Sequence, residues 1–353
     1  MAGFAQRYRQ ARARQRFMRG PSTGGLGLTI FALVVVIAIA MLLGFLDRRT
    51  RDRTAQRLEQ VRAAATDPIA LVAEAARTHR ILLLGDVQGA SAPKRFAADV
   101  IDTLARGPGL DVVALEIDVE LQPRIDAYLD SPEEDASLLL ARPRSVREWE
   151  GTGRAFLEIF RRVRALNALL DASRRIRVVA LDAPGWPPTP PPSPARLAQR
   201  FAERGEHMAR NLEQRVLERD DRARVLVFVD GLHTLRARVR IETGGVALDS
   251  VPLLAARIAP AGNVAPFAVL VGAEAPPAPG YGLAGYRPGA FFERMAGVSA
   301  ADAAFGFVVT SVLRFAVEDV EWWRGPGVSL EIVPLGGPLP LVDAWVRLSG
   351  QGG

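Results

Sequence analysis

Four apolar runs in this chain stop at residues able to do acid–base chemistry or to ligate a metal. Ile81-Leu82-Leu83-Leu84 gives way to Gly85-Asp86-Val87-Gln88-Gly89, and Val112-Val113-Ala114-Leu115 runs into Glu116. Val225-Leu226-Val227-Phe228-Val229 ends in Asp230-Gly231-Leu232-His233, and Ile176 to Leu181 stops at Asp182. A carboxylate/imidazole set of Asp86, Glu116 and His233 suits zinc, manganese or iron, so these three are candidate metal ligands. They are equally candidates for catalysis, as a general base and its partners. Structural roles compete with both. A carboxylate just past a strand commonly caps the following helix, which is the other reading of Asp86 and Asp182. Glu116 follows four apolar residues and is expected partly buried, which a cap does not explain. His233 falls in a post-strand loop, whereas His79 is expected to end a helix and His207 to sit on a solvated helix face.

Such residues need a frame that gathers strand ends. Strands at Ile81–Leu84, Val112–Glu116, Ile176–Asp182 and Val225–Val229 alternate with helical stretches at Pro93–Arg106, Gln122–Asp130, Val146–Ser173 and Ala195–Arg219. That rhythm predicts an α/β fold, a mainly parallel β-sheet flanked by helices. In such sheets ligands bind beyond the carboxyl ends of the strands, where these residues lie. Further strands are expected at Phe267–Val271, Phe307–Thr310, Val328–Val333 and Val342–Leu348. The proline run from Pro187 to Pro194 reads as a stiff surface loop, because its prolines lack the N–H a helix requires. Ala273–Pro288, with Tyr281 and Tyr286, reads as a long loop.

The chain of 353 residues has a sequence pI near 10.5, but its excess charge is local. Arg7, Arg9, Arg12, Arg14, Arg16 and Arg19 account for the whole formal +6. The balanced remainder lacks the basic footprint of a nucleic-acid binder, so no nucleic acid is expected as a partner. The absence of cysteine excludes disulfides and thiolate chemistry. Leu26 to Leu46 carries no charge; roughly twenty helical residues at ~1.5 Å each reach ~30 Å, the thickness of a bilayer core. Six arginines precede the run and four (Arg48, Arg49, Arg51, Arg53) follow it, which by the positive-inside rule keeps the N-terminus in and the body out. The small-x-small tripeptide Ala38-Ile39-Ala40 lies inside the apolar run rather than after it, which favours an uncleaved anchor over a cleaved signal peptide. The expected organisation is a basic cytoplasmic tail (1–25), a single transmembrane signal anchor (26–46), a stalk helix (47–68) and an α/β domain (69–348). The chain is then a single-pass inner-membrane protein with its main domain extracytoplasmic, or periplasmic.

The residues resemble a superfamily that joins erythromycin esterases, ChaN-like haem-binding lipoproteins and Tiki-type metallopeptidases. The likeness is carried by Leu83-Leu84-Gly85-Asp86, by the strand ending Leu115-Glu116, by a stretch from Trp149 to Asn167, by Asp182, by Arg204-x-x-x-Met208-Ala209-x-Asn211, by His233 and by Val342-Asp343-Ala344-Trp345-Val346. It covers roughly Arg77 to Arg347. It implies a cleft at the strand ends lined by Gln88, Asp182, Arg204 and Asn211 beside Asp86, Glu116 and His233. It also implies hydrolase chemistry, or binding of a small molecule, a peptide, a divalent metal or haem. Haem would ask for a tyrosine or histidine ligand, for which Tyr281 and Tyr286 are the tyrosines at hand.

The chain departs from that pattern at the reacting positions. The superfamily's first motif is usually Gly-Glu-x-His and its second Gly-x-x-His; here Gln88 replaces the first histidine, Asp86 the glutamate and Asp230 the second glycine. Gly205 stands where an acid usually follows the arginine. Glutamine is neutral and cannot serve as a base. Three functions stay open: a ligand-binding relative with weakened or lost hydrolase activity, an active metal-assisted peptidase or esterase using Glu116, Asp86 and His233, and an interaction module with a vestigial cleft.

Overall fold

The computed structural model describes residues 23–87, 89–140, 153–186, 193–258, 265–273, 284–287, 304–308, 321–324, 328–335 and 340–348. Contacts divide the chain into two units, Met1–Leu58 and Glu59–Gly353. Helix α1 (Thr23–Ala64) begins in the first. Its large apolar side chains from Ile30 to Leu46 stand exposed, Phe31 and Met41 at 66%. Among the described residues no helix is long and apolar enough to cross a membrane. Within the charge-free run the described side chains are those of residues 30–46, and its first four residues lie outside them.

The second unit is built on a seven-stranded sheet. Helix α2 (Pro68–Thr78) opens on Pro68, with Asp67 capping it by accepting from the Ala70 N–H at 2.8 Å. Then come β1 (Ile81–Asp86), α3 (Ala92–Arg106), β2 (Val112–Asp118), α4 (Gln122–Asp130), the short α5 (Ser137–Leu140), α6 (Gly153–Asn167), β3 (Arg177–Asp182), α7 (Pro194–Leu212) and β4 (Val225–Asp230). Strands β5 (Ala237–Thr243) and β6 (Val246–Pro252) follow, then α8 (Leu254–Ile258) and β7 (Phe267–Gly272). The last strands are β8 (Ala284–Arg287), β9 (Phe305–Val308), β10 (Glu321–Arg324), β11 (Val328–Pro334) and β12 (Ala344–Arg347). The main sheet runs β3-β2-β4-β1-β7-β12-β9, every pair parallel except the last. The α/β fold with a mostly parallel sheet is thus as the sequence implies. Its central strands are covered on both faces: Val112, Val113, Ala114 and Leu115 are each wholly buried. That double burial is why they read as unbroken apolar runs.

The structure refines several boundaries. The stretch expected as one helix around 146–173 is described as helix over Gly153–Asn167, with residues 141–152, Trp149 among them, outside the description. Leu212 is followed by one π-helical turn, Glu213–Leu217. The run at 328–333 joins not the main sheet but a separate antiparallel one, β11-β5-β6. Inside the expected loop 273–288, Ala284–Arg287 is a strand paired with β10. Of the proline run, residues 187–192 lie outside the description, and Ser193-Pro194 caps and begins α7.

Candidate functional site

The strand order makes β3, β2, β4 and β1 consecutive neighbours, so Asp182, Asp230 and Asp86 end one continuous edge, with Glu116 two residues before the end of β2 at Asp118. Asp86 and Asp230 are register partners. Gly85 is what lets this edge close up: a Cβ there would lie 3.1 Å from Gly231 Cα and 3.3 Å from the Val269 carbonyl oxygen.

Each acid is held by a specific donor. Arg204, from the middle of α7, meets Asp182 with both prongs of its guanidinium, Nε to Oδ1 at 2.7 Å and Nη2 to Oδ2 at 2.6 Å. Nη2 also donates to Glu116 Oε1 at 2.5 Å. Its planar face lies 4.6 Å from the centre of the Trp186 ring, a cation–π contact that fixes the guanidinium's orientation. Glu116 Oε2 accepts from the backbone N–H of Asp230. On the β1 side, Lys94 in the first turn of α3 sets its ammonium 2.8 Å from both oxygens of Asp86 and 3.2 Å from the Val87 carbonyl. Asp230 caps the turn that follows β4, accepting from Leu232 N–H at 2.8 Å. Its second oxygen is buried without a hydrogen-bond partner among the described residues.

His233 sits in that turn, buried, with Nε2 3.9 Å from Glu116 Oε1 and its ring stacked on Phe201 at 6.0 Å between centroids. Its Nδ1 has no partner among the described residues. Burial, reinforced by the Arg204 charge, lowers the imidazole pKa to about 3, although Asp182 pulls it up. His233 is therefore neutral through the physiological range. Burial, together with the negative charges of Glu116 and Asp86, raises the Asp230 carboxyl to about 8, so it holds a proton at neutral pH. Asp86 is also raised, by burial first, against the counteracting Lys94 charge.

Of the sequence candidates, Glu116, Asp182, Arg204 and His233 come together in one cluster, with Asp86 at its other end. Asn211 does not reach the acids; its amide donates to the Leu181 carbonyl at 2.7 Å and ties α7 to β3. Gln88 and Tyr281 lie outside the described residues, and of Tyr286 only the backbone is described. The candidate metal ligands Asp86 and Glu116 are both engaged by groups of the chain itself. Both oxygens of Asp86 face Lys94, and those of Glu116 face Arg204 and a backbone N–H. Among the described residues no group of three or more His, Asp or Glu side chains could hold a metal ion. The described donors do not fit a resident divalent ion, because the chain's own cations already occupy them.

Lys94, Asp230, Trp186 and Phe201 are the participants that motif reading passes over. The signal for Lys94 is compositional: of 45 lysines and arginines it is the single lysine. The signal for Asp230 is its place as the fourth acid ending a strand. Trp186 and Phe201 carry none, since a lone aromatic near a loop or on a helix is ordinarily core.

No family model matches the chain, and no curated protein matches it. Among solved structures, it is similar to an erythromycin esterase mutant in its open conformation at 12% identity and a TM-score of 0.51, over 80% of this chain and 93% of that one. It is likewise similar to a protein from Bacillus cereus at 11% identity and a TM-score of 0.50, over 84% and 97%. A toxin effector domain from Vibrio vulnificus matches at 23% identity and a TM-score of 0.35, the match covering 56% of this chain and 35% of that one. What the first two likenesses show is the fold, a mostly parallel α/β fold like that of the erythromycin esterases.

Proposed function

We propose that this chain is a membrane-anchored, extracytoplasmic domain whose strand-end cleft binds a small polar or peptide ligand, with hydrolase turnover weakened or lost. One observation carries the reading: the acids that a general-base or metal mechanism would use are each held by a cation of the chain itself, Asp86 by Lys94 and Glu116 by Arg204. An acid so held has its oxygens turned to that cation rather than to a substrate or a metal, and a buried imidazole with a pKa near 3 is a weak base. The anchor is supported by the charge-free run Leu26–Leu46, by the exposed apolar side chains along α1 and by six arginines on its entry flank.

A second reading, an active hydrolase, is favoured by the approach of Glu116 Oε1 to His233 Nε2. The two are separated by assaying the full-length protein in detergent on ester and peptide substrates. Weak or absent turnover with measurable ligand binding is expected. Turnover near ~1 s⁻¹ or above, abolished by Glu116→Gln or His233→Ala, would establish the hydrolase instead. Reporter fusions after Arg53 and at the C-terminus should be active only outside the cytoplasm.

A further inference from the structure

We propose that the ammonium of Lys94 is the resident cation of the strand-end site, filling the position that a hard, oxygen-liganded metal ion such as Mn²⁺ would otherwise take. The inference goes beyond the functional reading above and holds whether or not the site turns over substrate.

Three observations converge on it. The first is coordination. Lys94 Nζ faces both oxygens of Asp86 at 2.8 Å and the Val87 carbonyl at 3.2 Å, a bidentate carboxylate and a carbonyl around one point charge. Oxygen-liganded cations take such donors. The second is placement. Lys94 is 3% exposed and lies in the first turn of α3, where the helix dipole opposes a positive charge. A buried cation is compensated there by the Asp86 carboxylate that it meets directly, with the negative charge of Glu116 close enough to act on Asp86 as well. The third is chemical identity. Every other cationic side chain of the lysine/arginine kind is arginine. A guanidinium is a wide planar fork, whereas an ammonium is a compact point charge that fits between the Asp86 carboxylate and the Val87 carbonyl. The one lysine falls where that difference counts.

The single lysine also makes the test selective, because isotope-labelled lysine gives one side-chain ammonium resonance in the full-length protein. That resonance should be unchanged by stoichiometric Mn²⁺, and Mn²⁺ should leave the melting temperature of the native protein unmoved. Lys94→Ala should melt lower and gain about 4 °C when Mn²⁺ is raised about a hundredfold above its dissociation constant. Ethylammonium, which restores the lost group, should act in the same direction. Asp86→Asn combined with Lys94→Ala should lose both responses. Selective bleaching of the native ammonium signal by Mn²⁺ would overturn the proposal, since a metal would then sit beside the lysine. So would a folded Lys94→Ala protein indifferent to both cations. Should Lys94→Ala fail to fold without added cation, the resonance in the native protein decides alone.

Discussion

Replacing Arg204 with methionine, close in length and uncharged, should be among the most damaging single changes in the body. Among the described residues, Arg204 donates charge-assisted hydrogen bonds twice to Asp182 and once to Glu116. The side chain of Asp182 is 2% exposed and that of Glu116 12%, so water cannot replace the guanidinium. Breaking a buried pair by removing one partner costs about 3–5 kcal/mol, mainly as the stranded charge. Among the described residues, Asp182 would keep the Ala183 N–H at 2.8 Å. For a body of this size the loss corresponds to a fall of roughly 6–10 °C in melting temperature. Adding Asp182→Asn should recover part of the cost. Urea or thermal unfolding of the full chain at pH 7 measures both. An Arg204→Met protein within ~0.5 kcal/mol of the parent at pH 7 would refute the argument that burial makes this pair costly to break.

Three further outcomes are expected. Asp230 has its pKa raised on folding from 3.8 to about 8, so the folded state binds its proton more tightly; that stabilisation is complete below about pH 4 and is lost as pH rises towards 8. Asp230→Asn, which keeps the shape and never ionises, should therefore gain on the parent by about 5 kcal/mol between those limits, and an equal difference at pH 5 and pH 8 in urea unfolding would contradict the assignment. Asn167→Ala removes two bonds to the backbone of Ile176, at 2.9 and 2.7 Å, and should cost about 1–3 kcal/mol in the same measurement, because the carbonyl and N–H are left buried. Gly85→Ala forces a methyl group to 3.1 Å from Gly231 Cα and should lower stability by about 1–3 kcal/mol, whereas a neutral result would show that the strand ends can part.

The central sheet is legible in the sequence because strands buried on both faces must be apolar at every position, as Val112 to Leu115 are. Their polar ends are legible for the complementary reason, an acid directly after such a run having few harmless places to go. The β5–β6 hairpin hides from a search for apolar runs, since Ala237–Thr243 alternates buried residues with exposed Arg238, Arg240 and Glu242. The Gly244-Gly245 pair, both at positive φ, is its local sign. What motif reading cannot supply is which cation meets which acid. Lys94 lies eight residues past Asp86 and Arg204 lies 88 past Glu116, so the pairing is set by helix packing across the sheet. Residue types specify capable metal ligands, but not which other side chains meet them, as Lys94 meets Asp86 and Arg204 meets Glu116.

The open margins of the main sheet are closed by side chains and one short bridge. Along β3, Gln122 donates to the Val178 carbonyl and accepts from the Ala180 N–H, each at 2.8 Å, while Asn167 does the same for Ile176. On the far margin, Thr66 exchanges two backbone bonds of 2.9 Å with Gly306 in β9. An unpaired margin is a template for strand addition between copies. If the body is tethered by α1, its copies share a two-dimensional space where encounters are frequent. With both margins occupied, crowding on that surface would not by itself recruit the sheet into fibrous assembly, and the fold tolerates a density that a bare-edged domain could not.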